Sequence, residues 1–307
     1  MDARPICRLL LASFAAFLAL PYILPTPLAA NGPRGQPAGR LDKTFGTGGL
    51  VRESWPPFQA SHARAVVAQP DGRILLAGGE MDGARIQRCN PDGSLDVTFG
   101  GSGSVTFGPQ GFGEEGSIVA MALRPDGKIV VAGERTGPNQ WTWYRYVARL
   151  HPDGTLDTGF GTSGFAMVGN TGPNESLADL ALQPDGKIVV GGRRAISGWE
   201  FYLARLNEDG SRDTGFGVAG GELTTSFSTN RAWVLSILIQ PDGRIVAVGD
   251  ATNDVGIARY EPDGTLDAGF GAGGLLVSDI LVGPSWGGLQ PDGSIVVAGS
   301  WRDIPNR

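Results

Sequence analysis

The sequence predicts an all-β protein made of repeated four-stranded antiparallel units. The 307 residues include 49 Gly and 21 Pro, a content that interrupts the chain too often for long helices. Two short signatures alternate along the chain, and the first of them opens on prolines at positions 70, 125, 184, 241 and 291, spaced by 55, 59, 57 and 50 residues. A unit of that length suits four short strands with their turns.

The first signature is an apolar strand, a Pro-Asp-Gly turn and a second apolar strand, as in QPDGKIVVGG from Gln183 to Gly192. In such a turn Pro fixes φ, Asp bonds the backbone of its own turn, and Gly takes the left-handed conformation. We therefore interpret Pro-Asp-Gly as a hairpin turn. Calcium binding by the recurring Asp residues is a weaker alternative, because their spacing matches no EF-hand loop.

The second signature is PDGxLDxxFG, preceded by Asn90, His151 and Glu261 in three copies; a fourth copy from Asn207 reads NEDGSRDTGFG, and a trimmed copy, PAGRLDKTFG, starts at Pro37. In the second repeat the pattern predicts strand A at SIVAMALR, strand B at KIVVAGER, strand C at YRYVARL and strand D at FAMVG. These strands are apolar on both sides, as expected of sheets covered on both faces. Four-stranded antiparallel sheets repeated around an axis are the blades of a β-propeller.

The two ends of the chain contain complementary parts of one further unit. LDKTFGTGGLVRES, near the N-terminus, is the late part of a unit, and GGLQPDGSIVVAGS, near the C-terminus, is the early part. Together they predict a ring of about five blades, in which the last blade takes strand D from the N-terminus and strands A and B from the C-terminus. Neither end offers a good strand C for this blade, so an open array or a shortened chain is the alternative.

The first 30 residues have the pattern of a secretory signal peptide. A basic start, MDARPICR, precedes the apolar stretch LLLASFAAFLAL and a small-residue stretch that ends at Ala30. We expect cleavage near Ala30, a short linker over 31–40, a single propeller domain over 41–307 and a secreted or periplasmic location; an uncleaved N-terminal anchor is the alternative. Cleavage would remove Cys7 and leave Cys89 as a small apolar core residue without a disulfide.

The paired signatures, QPDGKIVVGG and PDGTLDTGFG, resemble the delta-60 repeat, a bacterial propeller-like repeat of about this length. The resemblance covers about residues 37–300. It implies a propeller-like architecture in an exported bacterial protein, and it implies no catalytic residues.

Residues that recur in every repeat are expected to serve the blade rather than a single ligand. We expect the recurring Arg of strand C and the recurring Asp after the second turn to form structural hydrogen bonds or ion pairs. The recurring Phe is expected to pack between blades. These residues are Arg88, Arg149, Arg205 and Arg259; Asp42, Asp96, Asp157, Asp213 and Asp267; and Phe45, Phe99, Phe160, Phe216 and Phe270.

Function is therefore expected among residues that do not recur. If both Pro-Asp-Gly turns of a blade lie at one face, the B-to-C and D-to-A connections lie at the other, and all seven tryptophans fall in or beside those connections. Aromatic surfaces bind sugars, peptides and proteins, although packing between blades is the alternative for any single Trp. The sequence thus predicts a non-catalytic binding or scaffold protein with a carbohydrate, peptide or protein partner. The predicted ligand-binding residues are Trp55, Trp141, Trp143, Trp199, Trp233, Trp286 and Trp301.

A glycan-active hydrolase with carboxylates in a central funnel is the alternative function. Its candidate catalytic residues, Asp179, Glu175, Glu114 and Glu115, lie in or just before A strands. Among them Asp179 takes the place of a small residue in sister repeats, which makes it the sharpest candidate. A solvated loop or channel carboxylate is the competing interpretation.

Other function classes find little support in the sequence. The two histidines, His62 and His151, suit no catalytic triad, and no motif for zinc or nucleotide phosphate is present. We expect no metal site and no cofactor, with a bound divalent cation left open. The net charge of −6 and the lack of a Lys/Arg run argue against nucleic acid as a partner. We also expect a monomer without a membrane span after signal cleavage.

Overall fold

The protein is built from antiparallel sheets of four strands. The computed structural model describes residues 41–51, 62–80, 83–108, 116–136, 143–169, 175–196, 198–218, 220–227 and 231–301. The strands are β1 (His62–Ala68), β2 (Ile74–Glu80), β3 (Gly83–Cys89), β4 (Ser104–Phe107), β5 (Gly116–Leu123), β6 (Ile129–Thr136), β7 (Trp143–Leu150), β8 (Phe165–Val168), β9 (Glu175–Leu182), β10 (Ile188–Ala195), β11 (Trp199–Leu206), β12 (Glu222–Thr225), β13 (Ala232–Ile239), β14 (Ile245–Ala251), β15 (Asp254–Tyr260), β16 (Leu275–Leu289) and β17 (Ile295–Trp301).

Each sheet follows the chain from its first strand to its last. The sheets β1 to β4, β5 to β8 and β9 to β12 form the first three blades, and β13 to β16 begin the fourth. All strand pairs within them are antiparallel. The four strands predicted for the second repeat are confirmed as β5 to β8.

The Pro-Asp-Gly segments form the expected hairpin turns. In the second blade the N–H of Arg124 donates to the carbonyl of Lys128 at 2.9 Å, and the Asp126 carboxylate accepts the N–H of Lys128 at 3.1 Å. Gly127 has φ of +81°, a left-handed conformation that a residue with a Cβ rarely adopts. The turn is therefore fixed by its own three residues.

Consecutive sheets share hydrophobic cores. One core joins Ile86 and Phe99 of the first blade to Tyr146 and Leu150 of the second, and equivalent cores join the second blade to the third and the third to the fourth. Both faces of an inner sheet are thus covered, which explains why its strands are apolar on both sides. Cys89 is buried in the first blade, as predicted for a small apolar core residue.

The N-terminal segment 41–51 docks on the first blade as the late part of a repeat. The N–H of Gly46 donates to the carbonyl of Asp92 at 2.7 Å. The same bond joins each blade to the next, as between Gly100 and the carbonyl of Asp153 at 2.9 Å. The interpretation of this segment as a partial repeat is therefore confirmed.

The C-terminal part differs from the prediction at the end of the fourth blade. There β16 continues from its pairing with β15 into a hairpin with β17, so the fourth sheet has five strands instead of ending at a loop. β16 runs through Gly283 and Pro284, and its pairing with β17 shifts register on both sides of Pro284, so these residues disturb the ladder without ending the strand.

Ring closure is not observed in the described part of the chain. Residues 41–51 form no strand ladder with β17 there. The all-β fold with four-stranded antiparallel sheets is confirmed, and the closed ring of five blades stays a prediction.

The predicted signal peptide, 1–30, and linker, 31–40, lie outside the described residues and stay predictions. Within the residues that the structure describes, no helix has the length and apolar character needed to cross a membrane.

Candidate functional site

A latch of Arg, Asp and Phe recurs at the second turn of each of the four blades. In the second blade Nε of Arg149 lies 2.7 Å from Oδ2 of Asp157, and the guanidinium carbon lies 4.8 Å from the centre of the Phe160 ring. The other three blades repeat this pairing at 2.7 Å, with guanidinium-to-ring distances of 4.4 to 4.7 Å. The paired residues are Arg88 with Asp96 and Phe99, Arg205 with Asp213 and Phe216, and Arg259 with Asp267 and Phe270.

The latch also fastens each blade to its neighbour. Nη1 of Arg88 donates to the carbonyl of Pro152 at 2.6 Å, and that of Arg149 donates to the carbonyl of Glu208 at 2.5 Å. The Phe99 ring lies so close to Gly154 of the next blade that a Cβ there would come within 2.9 Å of it. The predicted structural role of the recurring residues is therefore confirmed for these blades.

The latch carboxylates are held in the ionised form. Burial opposes ionisation of Asp157, but hydrogen bonds from Lys128 and Arg149 outweigh it and lower the pKa of Asp157 to about 2. Asp96, Asp213 and Asp267 also have lowered pKa values. These carboxylates are stabilised as anions, which suits ion pairing and not proton transfer.

A cluster of charged residues without counterparts in the other blades lies between the second and third blades. Arg145 is fully buried, with Nη1 3.6 Å from Oε2 of Glu175 and Nε 3.9 Å from Oε1 of Glu134. Glu175 also pairs with Nε of Arg194 at 2.5 Å, and Nη2 of Arg194 lies 2.7 Å from Oε2 of Glu222. Acidic and basic side chains therefore alternate through this interblade cluster.

Desolvation dominates the electrostatics of the interblade cluster. Burial raises the pKa of Glu134, although the N–H of Leu177, 2.6 Å from its Oε1, and the charge of Arg145 oppose the rise. Burial also lowers the pKa of Arg145. Both groups lose water, and the opposite charge of each partly compensates the other, so the cluster joins the two blades.

The sequence did not identify Glu134 or Arg145 as special. The strand register shows the signal that was available: Arg145 pairs with Glu134, whereas the equivalent pairs are Phe201 with Arg193 and Val255 with Asp250. A charged residue at a strand position that is apolar in sister repeats marks a non-repeated contact.

Asp179 lies on β9 beside a bulge at Ala178, where the pairing with β10 shifts. Its Oδ2 accepts the N–H of Ile237 at 2.7 Å, and its Oδ1 accepts the N–H of Leu180 at 2.9 Å. Burial raises the pKa of Asp179 to about 7, against these hydrogen bonds and one with Ser236. Asp179 thus joins the innermost strands of the third and fourth blades.

Of the candidate catalytic carboxylates the structure describes Asp179 and Glu175, and their contacts run to different blades. Asp179 reaches toward the fourth blade and Glu175 toward Arg145 of the second. Glu114 and Glu115 lie outside the described residues. In the described part of the chain, no group of three or more His, Cys, Asp or Glu side chains is arranged to hold a metal ion.

The raised pKa of Asp179 gives a pH-dependent stability. Because the folded protein holds this proton up to about pH 7 while the unfolded chain releases it near pH 3.8, the ordinary pKa of Asp, stability is expected to fall as pH rises between these values. The slope has an upper limit of about 1.4 kcal/mol per pH unit, and it ends above pH 7. Urea denaturation of the protein and of Asp179→Asn from pH 4 to 8 measures it.

The Asp179→Asn variant should lack this slope, so the difference in unfolding free energy between the two proteins should change with pH. Asp92→Asn is the control, because Asp92 is an exposed turn residue that bonds Ser94. It should keep the slope. Parallel curves for the protein and Asp179→Asn would show that Asp179 does not titrate in this range.

The tryptophans of the described strands mostly lie at the ends away from the Pro-Asp-Gly turns. Trp143 and Trp199 are the first residues of β7 and β11, Trp233 is near the start of β13, and Trp301 ends β17. Trp286 differs, because it lies within β16 opposite Ala298. Trp55 and Trp141 lie outside the described residues.

Two Arg–Trp pairs adjoin each other at this end of the third and fourth blades. The guanidinium carbon of Arg193 lies 4.2 Å from the centre of the Trp199 ring, and that of Arg231 lies 4.6 Å from the Trp233 ring. A parallel β-bridge between Trp199 and Arg231 joins the two pairs. Both tryptophans are half-buried, whereas Trp143 is 39% exposed. We call Arg193, Trp199, Arg231 and Trp233 the Arg–Trp face.

Comparison with known proteins identifies the repeat. Residues 69–99, 124–160, 183–216 and 240–270 match the family model described as "Domain of unknown function (DUF5122) beta-propeller". The chain is a β-propeller-like repeat protein. Each matched segment runs from a first Pro-Asp-Gly turn to the Phe of the latch, so the model covers the two recurring signatures. The more specific delta-60 assignment stays a prediction.

Solved structures show the same kind of fold at low sequence identity. A protein of unknown function from Dyadobacter fermentans DSM 18053 is 16% identical over 76% of this chain and 70% of its own, with a TM-score of 0.50. An endo-1,4-beta-xylanase from Bacteroides thetaiotaomicron VPI-5482 is 10% identical over 79% and 76%, with a TM-score of 0.36. Drosophila Semaphorin 1b, extracellular domains 1-2, is 13% identical over 65% and 40%, with a TM-score of 0.35. The likeness to the first concerns the fold alone, and the other two support no argument.

A search of curated proteins found no sequence that matches this chain.

Proposed function

We propose that the protein is an exported, non-catalytic binding protein that holds a carbohydrate at the Arg–Trp face. The observation behind the proposal is the adjacency of Trp199 and Trp233, which come from different blades and meet through the bridge between Trp199 and Arg231. Half-buried aromatic rings next to polar groups are the usual composition of a sugar-binding surface. Export is proposed from residues 1–30.

The stability of a blade does not in general require a tryptophan at these positions. At the position of Trp233, opposite Asp250, the other three blades have His62, Ser117 and Ser176, opposite Gly79, Glu134 and Arg193. Blades thus fold without an aromatic residue there. Large aromatic residues that the repeat does not need, and that remain partly exposed, are consistent with recognition of a partner.

A glycan array and a peptide array, each probed with the purified protein, test the proposal. The strongest ligand is then titrated by calorimetry against the protein, Trp199→Ala and Trp233→Ala. Each substitution is expected to weaken binding by about tenfold or more, because it removes a buried aromatic contact. Binding of peptides alone would replace the carbohydrate by another partner class.

Val97→Ala is the matched control. Val97 is 63% exposed and lies beside the second turn of the first blade, at the opposite face of the sheets. Its truncation should leave binding unchanged. Equal affinities for the protein and both tryptophan variants, with unchanged thermal unfolding, would exclude the Arg–Trp face as the binding site.

A further inference from the structure

We propose that the Arg–Trp face selects acidic glycans, and that its ligand class is a short oligouronate. Carboxylates of the ligand would pair with Arg193 and Arg231 while its sugar rings contact the edges of Trp199 and Trp233. This inference rests on the proposed function and adds the charge of the ligand, which that function leaves open.

Stacking on tryptophan prepares a guanidinium to bind a carboxylate. At 4.2 Å from the ring centre, the Arg193 guanidinium is held against the Trp199 side chain, and Arg231 is held on Trp233 in the same way at 4.6 Å. A guanidinium placed over an aromatic ring keeps its in-plane N–H groups available for a planar acceptor with two oxygens. A carboxylate matches that arrangement.

Arg193 differs from the recurring arginines in having no carboxylate partner. Arg149 also stacks on a ring, but its Nε pairs with Asp157 at 2.7 Å. Among the residues that the structure describes, Arg193 forms no such ion pair, and its Nε is shielded from solvent without a hydrogen-bond partner, so Nε itself cannot reach a ligand. The pairing with an external anion therefore falls to the two terminal nitrogens of the stacked guanidinium.

The position of Arg193 is also specific to the third blade. At the position of Arg193 on strand B, the other blades have Gly79, Glu134 and Asp250. No contact that recurs in every blade therefore requires an arginine at this position.

Glu134, whose carboxylate is under the influence of the Arg193 charge, accepts the N–H of Leu177 at 2.6 Å and lies 3.9 Å from Nε of Arg145. Asp250, opposite Trp233, is buried and accepts the N–H of Asn253 at 3.0 Å. Both carboxylates are already engaged with other groups.

The charge of the whole chain favours a short ligand. At a net charge of −6, the protein repels an extended polyanion, whereas two neighbouring arginines attract one or two carboxylates locally. Two similar Arg–Trp pairs on adjoining blades suit a ligand in which a carboxylated ring recurs. An oligouronate has that repeat, and an acidic peptide does not combine the acid with a rigid ring.

The test is calorimetric titration of the full chain with tetragalacturonate at low ionic strength. Methyl-esterified tetragalacturonate and tetraglutamate serve as the neutral glycan and the acidic peptide. We expect binding of tetragalacturonate, at least about tenfold weaker binding of its ester, and weakening by added salt. Arg193→Gln should reduce the affinity for tetragalacturonate by about tenfold and abolish its preference over the ester, whereas Arg193→Lys should have an intermediate affinity.

Arg244→Gln is the matched control, because Arg244 is a partly exposed arginine on the first turn of the fourth blade, where it pairs with Asp242 and Glu261. It should bind tetragalacturonate as the protein does. Equal binding of acid and ester, equal binding by Arg193→Gln, preference for tetraglutamate, or no binding of tetragalacturonate each overturns the inference.

The two proposals fail in different ways. If a neutral glycan binds and loses affinity in Trp199→Ala but not in Arg193→Gln, the proposed function stands and the acidic selection is wrong. If no glycan depends on either tryptophan, the proposed function itself is wrong.

Discussion

Arg145→Val is expected to destabilise the protein by about 3–5 kcal/mol, the usual cost of removing one partner from a buried ion pair. Arg145 is fully buried and lies 3.6 Å from Glu175 and 3.9 Å from Glu134. Without it Glu134 keeps the N–H of Leu177 but loses its nearest positive charge. The free energy of unfolding in urea measures the loss, and it should be larger at pH 8 than at pH 5, because a protonated Glu134 tolerates the missing charge better.

Neutralising Glu134 as well should restore much of the stability. The double variant Glu134→Gln, Arg145→Val uses a residue that fits, since a sister blade has Val255 at the position of Arg145. Gln keeps an oxygen for the N–H of Leu177, and Glu175 keeps its pair with Arg194. A double variant as unstable as Arg145→Val would show that packing, and not the unpaired charge of Glu134, causes the loss.

Arg149→Ala is the second large effect, with an expected loss of about 2–4 kcal/mol. The substitution removes the pair with Asp157, the stacking on Phe160 and the bond to the carbonyl of Glu208 in the next blade. The Asp157 carboxylate keeps its ion pair with Lys128 at 2.9 Å, so its negative charge is still partly compensated. Unfolding in urea, followed by circular dichroism, measures the change.

Arg73→Ala is the control for the latch. Arg73 also pairs with a latch carboxylate, at 3.0 Å from Oδ2 of Asp96, but 38% of its side chain is exposed. Solvent screens such a pair, so the urea midpoint should move far less than in Arg149→Ala. Equal shifts in the two variants would contradict the role assigned to stacking and to the interblade carbonyl.

Repetition made most of the fold predictable. The Pro-Asp-Gly turns have local chemistry that sets their conformation, and the recurring Arg, Asp and Phe could be assigned to the blade before any contact was known. The partial repeat at 41–51 was also correctly interpreted, because Gly46 makes the bond to Asp92 that later repeats make to their neighbours. The sequence did not predict that β16 would run on through Gly283 and Pro284, residues that usually end a strand, into the predicted hairpin with β17.

The candidate site was only partly predictable. Trp199 and Trp233 were predicted as ligand-binding residues from their positions, and that role stays a prediction. Their arginine partners were not predicted: Arg193 lies on the neighbouring strand, and Arg231, although only two residues before Trp233, was not recognised as its partner. Asp179 was identified as unusual, yet its partner, the N–H of Ile237, belongs to the next blade. Contacts between blades depend on how sheets stack, which a single repeat does not encode.

The sequence by itself determined the repeat, its turns and the strand order within each sheet, because these depend on residues near each other in the chain. Only the tertiary structure decided which residues meet across neighbouring sheets: the buried pairing of Arg145 with Glu134 and Glu175, and the adjacency of the two Arg–Trp pairs. When sheets pack face to face, these side chains lose their contact with water. A buried charge is then stable only where the neighbouring sheet supplies an opposite charge or a hydrogen bond.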